Sequence, residues 1–284
     1  MPPVSALWQN CSPYVYLVHP VHKTVINTFG REPMSQTVLL AEHNKVLTIT
    51  INRPERRNAL DTATYTALTQ AFESATGRND LHAIILHGAQ QYFTAGNDLR
   101  DFQSKPKGES PGLRFLKALV NTDIPVIAAV EGAAIGIGVT MLMHCDFIIA
   151  ASDTTFRIPF VPLGLCPEGA SSVLLAQYVG IRKANEWLYL GQPFTAQEAF
   201  ESKFINKIVP PGQALDKASK MANTMATQSL LSLKTTKSLL KRTLTPLINE
   251  TLDCEREAFI KCLISDEAQA AFQQFFTKPE KLTS

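Results

Sequence analysis

Glu168 is an isolated acidic residue in an otherwise apolar segment. Leu163, Leu165 and Cys166 precede it, and a helical pattern follows it. Burial would raise the pKa of its carboxyl group, whereas a helix N-terminus would lower it. A carboxylate held between these two effects is suited to general-base catalysis. The same position also fits a structural role, in which Glu168 only places a negative charge at the start of the following helix.

Two stretches rich in small residues, 93–98 and 132–138, each follow a short apolar run. Glycine and alanine cluster where a backbone must approach another group closely. Two such turns could each direct one backbone N–H at a common point and hold a developing oxyanion. Losing one such donor costs about 3–4 kcal/mol in the transition state. Spacing alone leaves a second interpretation open, in which the glycines only make tight turns.

The other reactive side chains favour structural roles. Cys166 lies two residues from Glu168, but the central stretch offers no histidine placed as a base for thiol chemistry, so we interpret it as a small buried hydrophobe. Asp98 and Asp146 are typical of carboxylates at loops or helix ends, and His144 of a packed or surface histidine. No cluster of His, Cys and Asp has the spacing of a metal site, and we predict no metal.

Strand and helix patterns alternate through the first two thirds of the chain. Apolar alternation at residues 46–51 predicts a half-buried strand, and Asp61 is the predicted N-cap of a helix that ends near Ala75. Thr195 and Glu198 form a capping-box pattern. Further strands are predicted at residues 83–86, 125–130, 147–151 and 205–209, and helices at 113–120, 170–179, 182–190, 252–264 and 267–276.

Composition limits the class of protein. The 284 residues are 45% hydrophobic and 18% charged, which is enough for a sizeable core. The net charge of +2 argues against a nucleic-acid partner, and no apolar run is long enough to span a membrane. Five cysteines without a C-x-x-C pair fit a reducing compartment, so we predict a cytoplasmic protein.

The chain divides into three predicted parts. Residues 1–34 show neither helical nor strand periodicity and are interpreted as an N-terminal extension that is either disordered or a mis-called start, with Met34 as the candidate start of the protein. Residues 35–225 form the predicted core, and residues 226–284 a C-terminal helical region. The broad apolar faces of the last helices suggest packing on another subunit or back over the core.

Several motifs together resemble the crotonase family, also called the enoyl-CoA hydratase/isomerase superfamily, over about residues 37–276. They are Asn52-Arg53-Pro54 with Arg57-Asn58-Ala59-Leu60, residues 93–99 (FTAGNDL), residues 125–132 (PVIAAVEG), Cys145-Asp146, Leu163-Gly164 and residues 195–199 (TAQEA). The resemblance implies an α/β fold, a spiral of strand–strand–helix units with a C-terminal helical trimerisation region. It also implies an acyl-CoA thioester substrate, an enolate held by two backbone N–H groups, and a homotrimer or hexamer.

Matching motif positions assign site residues by resemblance. The oxyanion donors would be the N–H groups of Ala95 and Ile137. The adenine would lie near Arg57, Ala59 and the backbone of Asp98 and Leu99. Arg100 would lie near the phosphates of coenzyme A, which is part of the substrate, so no separate cofactor is expected.

Departures from the family pattern narrow the expected reaction. Hydratases of the family have two glutamates, and those positions are Thr140 and Phe160 in this chain. Glu168 instead occupies a position where the hydratases have glycine, as in the Δ3,Δ2-enoyl-CoA isomerase branch. We therefore expect an isomerase of fatty acid β-oxidation with Glu168 as its base. The alternatives are an enoyl-CoA hydratase or other crotonase enzyme, and a non-catalytic acyl-CoA-binding protein.

Overall fold

The computed structural model of the chain describes residues 37–98, residue 100 and residues 108–277. The predicted extension at residues 1–34 lies outside the described residues, as do Leu99 and residues 101–107. All described residues belong to one compact unit. The predicted boundary after residue 225 falls at the end of a helix, Ala214–Ala226.

A six-stranded sheet forms the centre of the structure, in the order β1-β2-β3-β4-β6-β9. Its first pair is antiparallel and the other four pairs are parallel. β3 and β4 are apolar because the middle strands of a parallel sheet are covered on both faces. The strands are β1 Val38–His43, β2 Val46–Ile51, β3 Ala83–Gly88, β4 Val126–Val130, β6 Phe147–Ala151 and β9 Lys207–Val209.

A second, three-stranded sheet includes part of the stretch that the sequence predicted only as a turn. β5 (Ala133–Ile135) pairs in parallel with β7 (Thr155–Arg157), which pairs antiparallel with β8 (Phe194–Thr195). The prediction of a continuous turn at residues 132–138 was therefore incomplete. Three residues are too short for an alternating pattern to be visible, so pairing partners distant in sequence decide their conformation.

Ten helices are present among the described residues. Asp61 caps α1 by accepting the N–H of Thr64, and the capping box of Thr195 and Glu198 is present, as predicted. α2 begins two residues before the prediction, where Ser110 provides the cap. The helices are α1 Thr62–Ala75, α2 Pro111–Asn121, α3 Ile137–Thr140, α4 Ser171–Val179, α5 Ile181–Leu190, α6 Ala196–Glu201, α7 Ala214–Ala226, α8 Leu230–Lys241, α9 Leu244–Leu263 and α10 Asp266–Thr277.

The long helix α9 returns to the core. It packs against α2 and α4, and its buried residues recur at helical spacing at Ile248, Leu252, Glu255 and Leu263. One face of α9 therefore covers the region that follows Glu168. In the part of the chain that the structure describes, no helix has both the length and the apolar character needed to cross a membrane.

Candidate active site

The two small-residue turns lie side by side because their backbones pair. The N–H of Thr94 donates to the carbonyl of Ala133 at 3.0 Å, and the N–H of Ile135 donates to the carbonyl of Thr94 at 3.1 Å. This short parallel bridge brings Ala95 next to the segment that leads into α3. The sequence predicted that the two turns converge, and the pairing shows how they do so.

Two glycines make this approach possible. Gly96 has φ of 84°, and a Cβ atom added there would lie 2.4 Å from the carbonyl oxygen of Ile135. A Cβ on Gly138 would lie 2.6 Å from the Cγ2 atom of Thr94. Both distances are far below a van der Waals contact, so side chains at these positions would push the two turns apart.

The two predicted oxyanion donors differ in their present partners. The N–H of Ile137 opens α3 and has no hydrogen-bond acceptor among the described residues. The N–H of Ala95 donates to the backbone carbonyl of Arg57 at 3.0 Å. To bind a substrate oxygen, Ala95 must share its N–H with that carbonyl or be released from it.

A narrow cavity of about 480 Å³ extends from Ile137 and contains Glu168 in its wall. Its size and its apolar lining are those of a small-molecule pocket. The apolar side chains that line it are Leu60, Pro111, Leu113, Ile137, Leu252, Phe259, Ile260 and Leu263. Polar residues also line this cavity, among them Tyr65, Asn97, Asp98 and Glu109.

The environment of Glu168 is that of a base with an unusually high proton affinity. Burial raises the pKa of Glu168 to about 8, and the charge of Glu255 adds to the rise. A hydrogen bond from the Thr140 hydroxyl to Oε1 of Glu168, at 2.5 Å, opposes it. Of the two effects predicted to compete, burial dominates, and Thr140 helps to orient the carboxyl group.

A wider cavity of about 710 Å³ begins on the other side of Ile137. The four arginines that line it are Arg56, Arg57, Arg100 and Arg157. Ala59, Ala95 and Asp98 line it as well, so it brings together all the predicted coenzyme A and oxyanion residues except Leu99, which is outside the described residues. The residues that line both cavities are Asn97, Asp98, Ile137 and Phe259, and the two spaces therefore adjoin.

Asp98 serves as the anchor for two of the nearby arginines. Arg100 donates to both of its carboxylate oxygens at 2.9 and 2.6 Å, and Arg53 lies 3.6 Å away. The hydrogen bonds from Arg100 lower the pKa of Asp98 to about 2. Asp98 is therefore a constant negative charge that holds the half-exposed Arg100 at the rim of the wider cavity.

The other candidate residues lie in environments that fit structural roles and not catalytic ones. Burial raises the pKa of the Cys166 thiol to about 12, which removes it as a thiolate nucleophile at neutral pH. Asp146 forms ion pairs with Lys237 and Lys241 at 2.8 and 3.3 Å. Phe160 is buried and cannot ionise. No cluster of potential metal ligands occurs in the described ranges.

Sequence reasoning missed two acidic residues of the narrow cavity, the exposed Glu109 and the buried Glu255. Glu255 lines it from α9 and is buried, although it lies far from Glu168 in sequence. A signal was available, because Glu255 falls at helical spacing from Leu252 and Phe259, where an acidic residue interrupts an apolar face. An acid at such a position requires a buried partner.

The two sheets and the bridged turns define an α/β fold of the crotonase class, with its C-terminal helices present. A solved structure, described as an enoyl-CoA hydratase/isomerase from Pseudoalteromonas atlantica T6c, aligns with a TM-score of 0.81 at 34% identity, covering 84% of this chain and 96% of that one. The chain belongs to the enoyl-CoA hydratase/isomerase family, whose model matches residues 41–282.

Relatives within this family carry names of two different activities. A short-chain-enoyl-CoA hydratase from Clostridium acetobutylicum is 30% identical, over 85% of this chain and 95% of that protein. An enoyl-CoA delta isomerase 2 from Rattus norvegicus is 29% identical, over 89% of this chain and 66% of that protein. The similarity supports a crotonase-family enzyme and does not choose between hydration and isomerisation.

Proposed function

We propose that the protein is a Δ3,Δ2-enoyl-CoA isomerase, which converts a 3-enoyl-CoA to the 2-trans-enoyl-CoA in fatty acid β-oxidation. The observation that carries the proposal is the environment of Glu168. It is an acid with a raised pKa, in a cavity next to the N–H of Ile137, which has no acceptor among the described residues. The two family positions that hold acids in hydratases are Thr140 and Phe160, and neither can act as a base.

The reaction needs one group that both accepts and returns a proton. The Glu168 carboxylate removes a proton from C2, and the electron pair moves toward the thioester oxygen to form a dienolate. Glu168, now protonated, returns the proton to C4, and the double bond lies between C2 and C3. A carboxyl group with a pKa of about 8 suits both steps, because its affinities for accepting and donating a proton are balanced near neutral pH.

Two backbone donors would stabilise the dienolate. The N–H of Ile137 is available to the thioester oxygen in the present conformation. The N–H of Ala95 completes the pair once it shares its hydrogen with the substrate oxygen or leaves the Arg57 carbonyl. Such donors stabilise the transition state more than the ground state because the negative charge develops on the oxygen during the reaction.

The wider cavity would bind the coenzyme A portion of the substrate. Its arginines, among them Arg57 and Arg100, provide positive charge for the phosphates. Ala59 and the backbone at Asp98 and Leu99 would contact the adenine. Because coenzyme A arrives as part of the substrate, the reaction requires no separate cofactor.

Hydration of a 2-trans-enoyl-CoA is the second candidate, and the presence of Glu255 favours it. Two carboxyl groups in one cavity could hold and activate a water molecule. However, both oxygens of Glu255 already accept backbone N–H groups, from Ala170 and Ser172. Either reaction needs the N–H of Ala95 to turn to the substrate oxygen, but only hydration would also require Glu255 to change partners.

Two assays on the purified protein and on Glu168→Gln test the proposal. Turnover of a 3-enoyl-CoA is expected for the unaltered protein, and the substitution should lower kcat by about 10³-fold because it removes the base. Loss of the conjugated double bond of a 2-trans-enoyl-CoA measures hydration. Wild-type isomerisation by Glu168→Gln would refute this base. Binding of an acyl-CoA with neither activity would indicate a non-catalytic protein.

The expected assembly is a homotrimer or hexamer. α8 supports it, since Leu231, Leu239 and Leu240 are each more than half exposed on that helix in the single chain. Light scattering at micromolar concentration measures the mass directly, and a monomer would contradict the expectation.

A further inference from the structure

The backbone that follows Glu168 is strained. Gly169 and Ala170 both have left-handed conformations, with φ of 70° and 59°. An alanine in this region is unfavourable and persists only where its surroundings hold it. Gly169 also cannot be replaced easily, because an added Cβ would lie 2.8 Å from the Thr140 side chain. Neighbouring groups must therefore fix the turn that carries the base.

Glu255 of α9 holds this turn from one side. Its Oε2 atom accepts the N–H of Ala170 at 2.6 Å, and its Oε1 atom accepts the N–H of Ser172 at 2.9 Å. α4 has no cap from its own N-cap residue, Ala170, so Glu255 satisfies N–H groups that would otherwise be unpaired. Donors at the start of a helix favour the ionised form of the carboxyl group.

His144 holds the same turn from the other side. Its Nε2 atom lies 2.9 Å from the carbonyl oxygen of Gly169. A carbonyl only accepts, so Nε2 carries the hydrogen. Burial lowers the pKa of His144 to about 4, and the ring is neutral at physiological pH. The turn is thus held by a neutral donor on one side and a carboxylate on the other.

We propose that Glu255 is a positioning residue for the reaction: its two hydrogen bonds hold the turn that places Glu168 against Thr140, and its negative charge acts on Glu168 within the same cavity. The proposal rests on the proposed function for its catalytic consequence. The hydrogen bonds are independent of which reaction the family member performs.

The electrostatic part has a defined sign. Burial raises the pKa of Glu168, and the nearby charge of Glu255 raises it further. Burial also raises the pKa of Glu255, against the hydrogen bonds from Ser172 and Ala170. The titratable or charged groups that face this pair from the surrounding elements are His144, Cys166, Cys262 and Arg256 and, across the cavity, Tyr65, Asp98 and Glu109. The charge of Glu255 therefore acts on the titration of Glu168, whereas burial and its own hydrogen bonds determine the direction of the shift at Glu255.

The Glu255→Gln substitution removes the negative charge of this side chain and keeps its size. Glutamine keeps the volume and one acceptor oxygen but carries no charge, so the pKa of Glu168 should fall. A base must be ionised to act, and the acidic limb of the kcat/KM profile should move to lower pH by about half a unit or more. At pH values above the limb, kcat should fall by about threefold because a weaker base removes the proton more slowly.

Glu255→Ala removes both hydrogen bonds. Displacement of the turn should lower kcat by about 10²-fold and leave KM nearly unchanged, because the arginine-lined cavity is not altered. Glu255→Asp, which keeps the charge on a shorter side chain, should recover part of the loss. Glu257→Gln is the matched control, since Glu257 is an exposed glutamate on the same helix, and it should behave as the unaltered protein.

A second readout makes the result independent of turnover. Infrared difference spectra between the protein and its Glu168→Gln variant follow the protonation of Glu168 directly, with and without Glu255→Gln. An unaltered protein without isomerase activity would refute the proposed function, whereas the titration would still test Glu255. The proposal is overturned if Glu255→Gln leaves the Glu168 midpoint and the acidic limb unchanged, or if folded Glu255→Ala keeps the original kcat.

Discussion

The two adjoining cavities differ in how far solvent screens the charged groups that line them. In the narrow cavity, Glu168 is enclosed, and its proton affinity depends on burial, on one hydroxyl and on one neighbouring charge. In the wider cavity, Arg57 is exposed and Arg100 is half exposed. A buried group responds strongly to each neighbour because solvent does not screen it, whereas exposed charges act weakly and collectively. The rate of the reaction should therefore change strongly when a single group in the narrow cavity is altered. Binding of the substrate in the wider cavity should change little when a single side chain is altered.

The largest expected effect is at the junction of the two cavities. Gly96→Ala should destabilise the protein by about 3 kcal/mol or more and abolish measurable turnover, because the new Cβ would meet the backbone of Ile135 and separate the two turns. Thermal unfolding and isomerase assays measure the two effects.

Gly77→Ala provides the control for Gly96→Ala. Gly77 has φ of 78°, close to that of Gly96, but an added Cβ would have no neighbour within 4 Å. This variant should lose only the about 1 kcal/mol that a left-handed alanine costs, with activity retained. Equal effects of the two substitutions would show that backbone strain, and not the contact between the turns, limits the site.

A smaller effect is expected from Thr140→Val, which tests the sensitivity of the narrow cavity. The Thr140 hydrogen bond lowers the pKa of Glu168, so its loss should raise that pKa from about 8 by about one unit. Because the base must be ionised, the acidic limb of the kcat/KM profile should move to higher pH, and activity at pH 7 should fall about tenfold. Glu255→Gln should move the limb in the opposite direction.

The control for Thr140→Val is Thr122→Val. Thr122 is also buried, and its hydroxyl has no hydrogen-bond partner among the described residues. That substitution should leave the pH profile in place. A profile for Thr140→Val that coincides with that of the unaltered protein would contradict the role of its hydroxyl.

The sequence predicted the features that depend on local signals. The cap at Asp61, the capping box at Thr195 and the buried strands follow from residue types and spacing, and the structure confirms them. The environment of Glu168 was predicted only as a competition between burial and a helix terminus, since neither effect has a magnitude until the surroundings are known.

Features that depend on distant contacts were not predictable in the same way. The hydrogen bond from Ala95 to the Arg57 carbonyl joins two loops, and β5 exists because of partners in β7 and at Thr94. Glu255 reaches the turn after Glu168 only because α9 folds back over α4. In each case the residue types allowed several partners, and tertiary packing selected one of them.

The smallest effect is expected in the wider cavity, from Arg57→Ala. The side chains of Arg56, Arg100 and Arg157 would remain, so KM for an acyl-CoA should rise by only about fivefold, with kcat unchanged. The rise in KM caused by Arg57→Ala should become smaller as the salt concentration increases, because salt screens exposed charges. Arg182→Ala, an exposed arginine on α5 that lines neither cavity, is the matched control and should leave KM unchanged. A fall in kcat for Arg57→Ala would have a different meaning. It would indicate that the Arg57 backbone controls the N–H of Ala95, so that the wider cavity also participates in the chemistry.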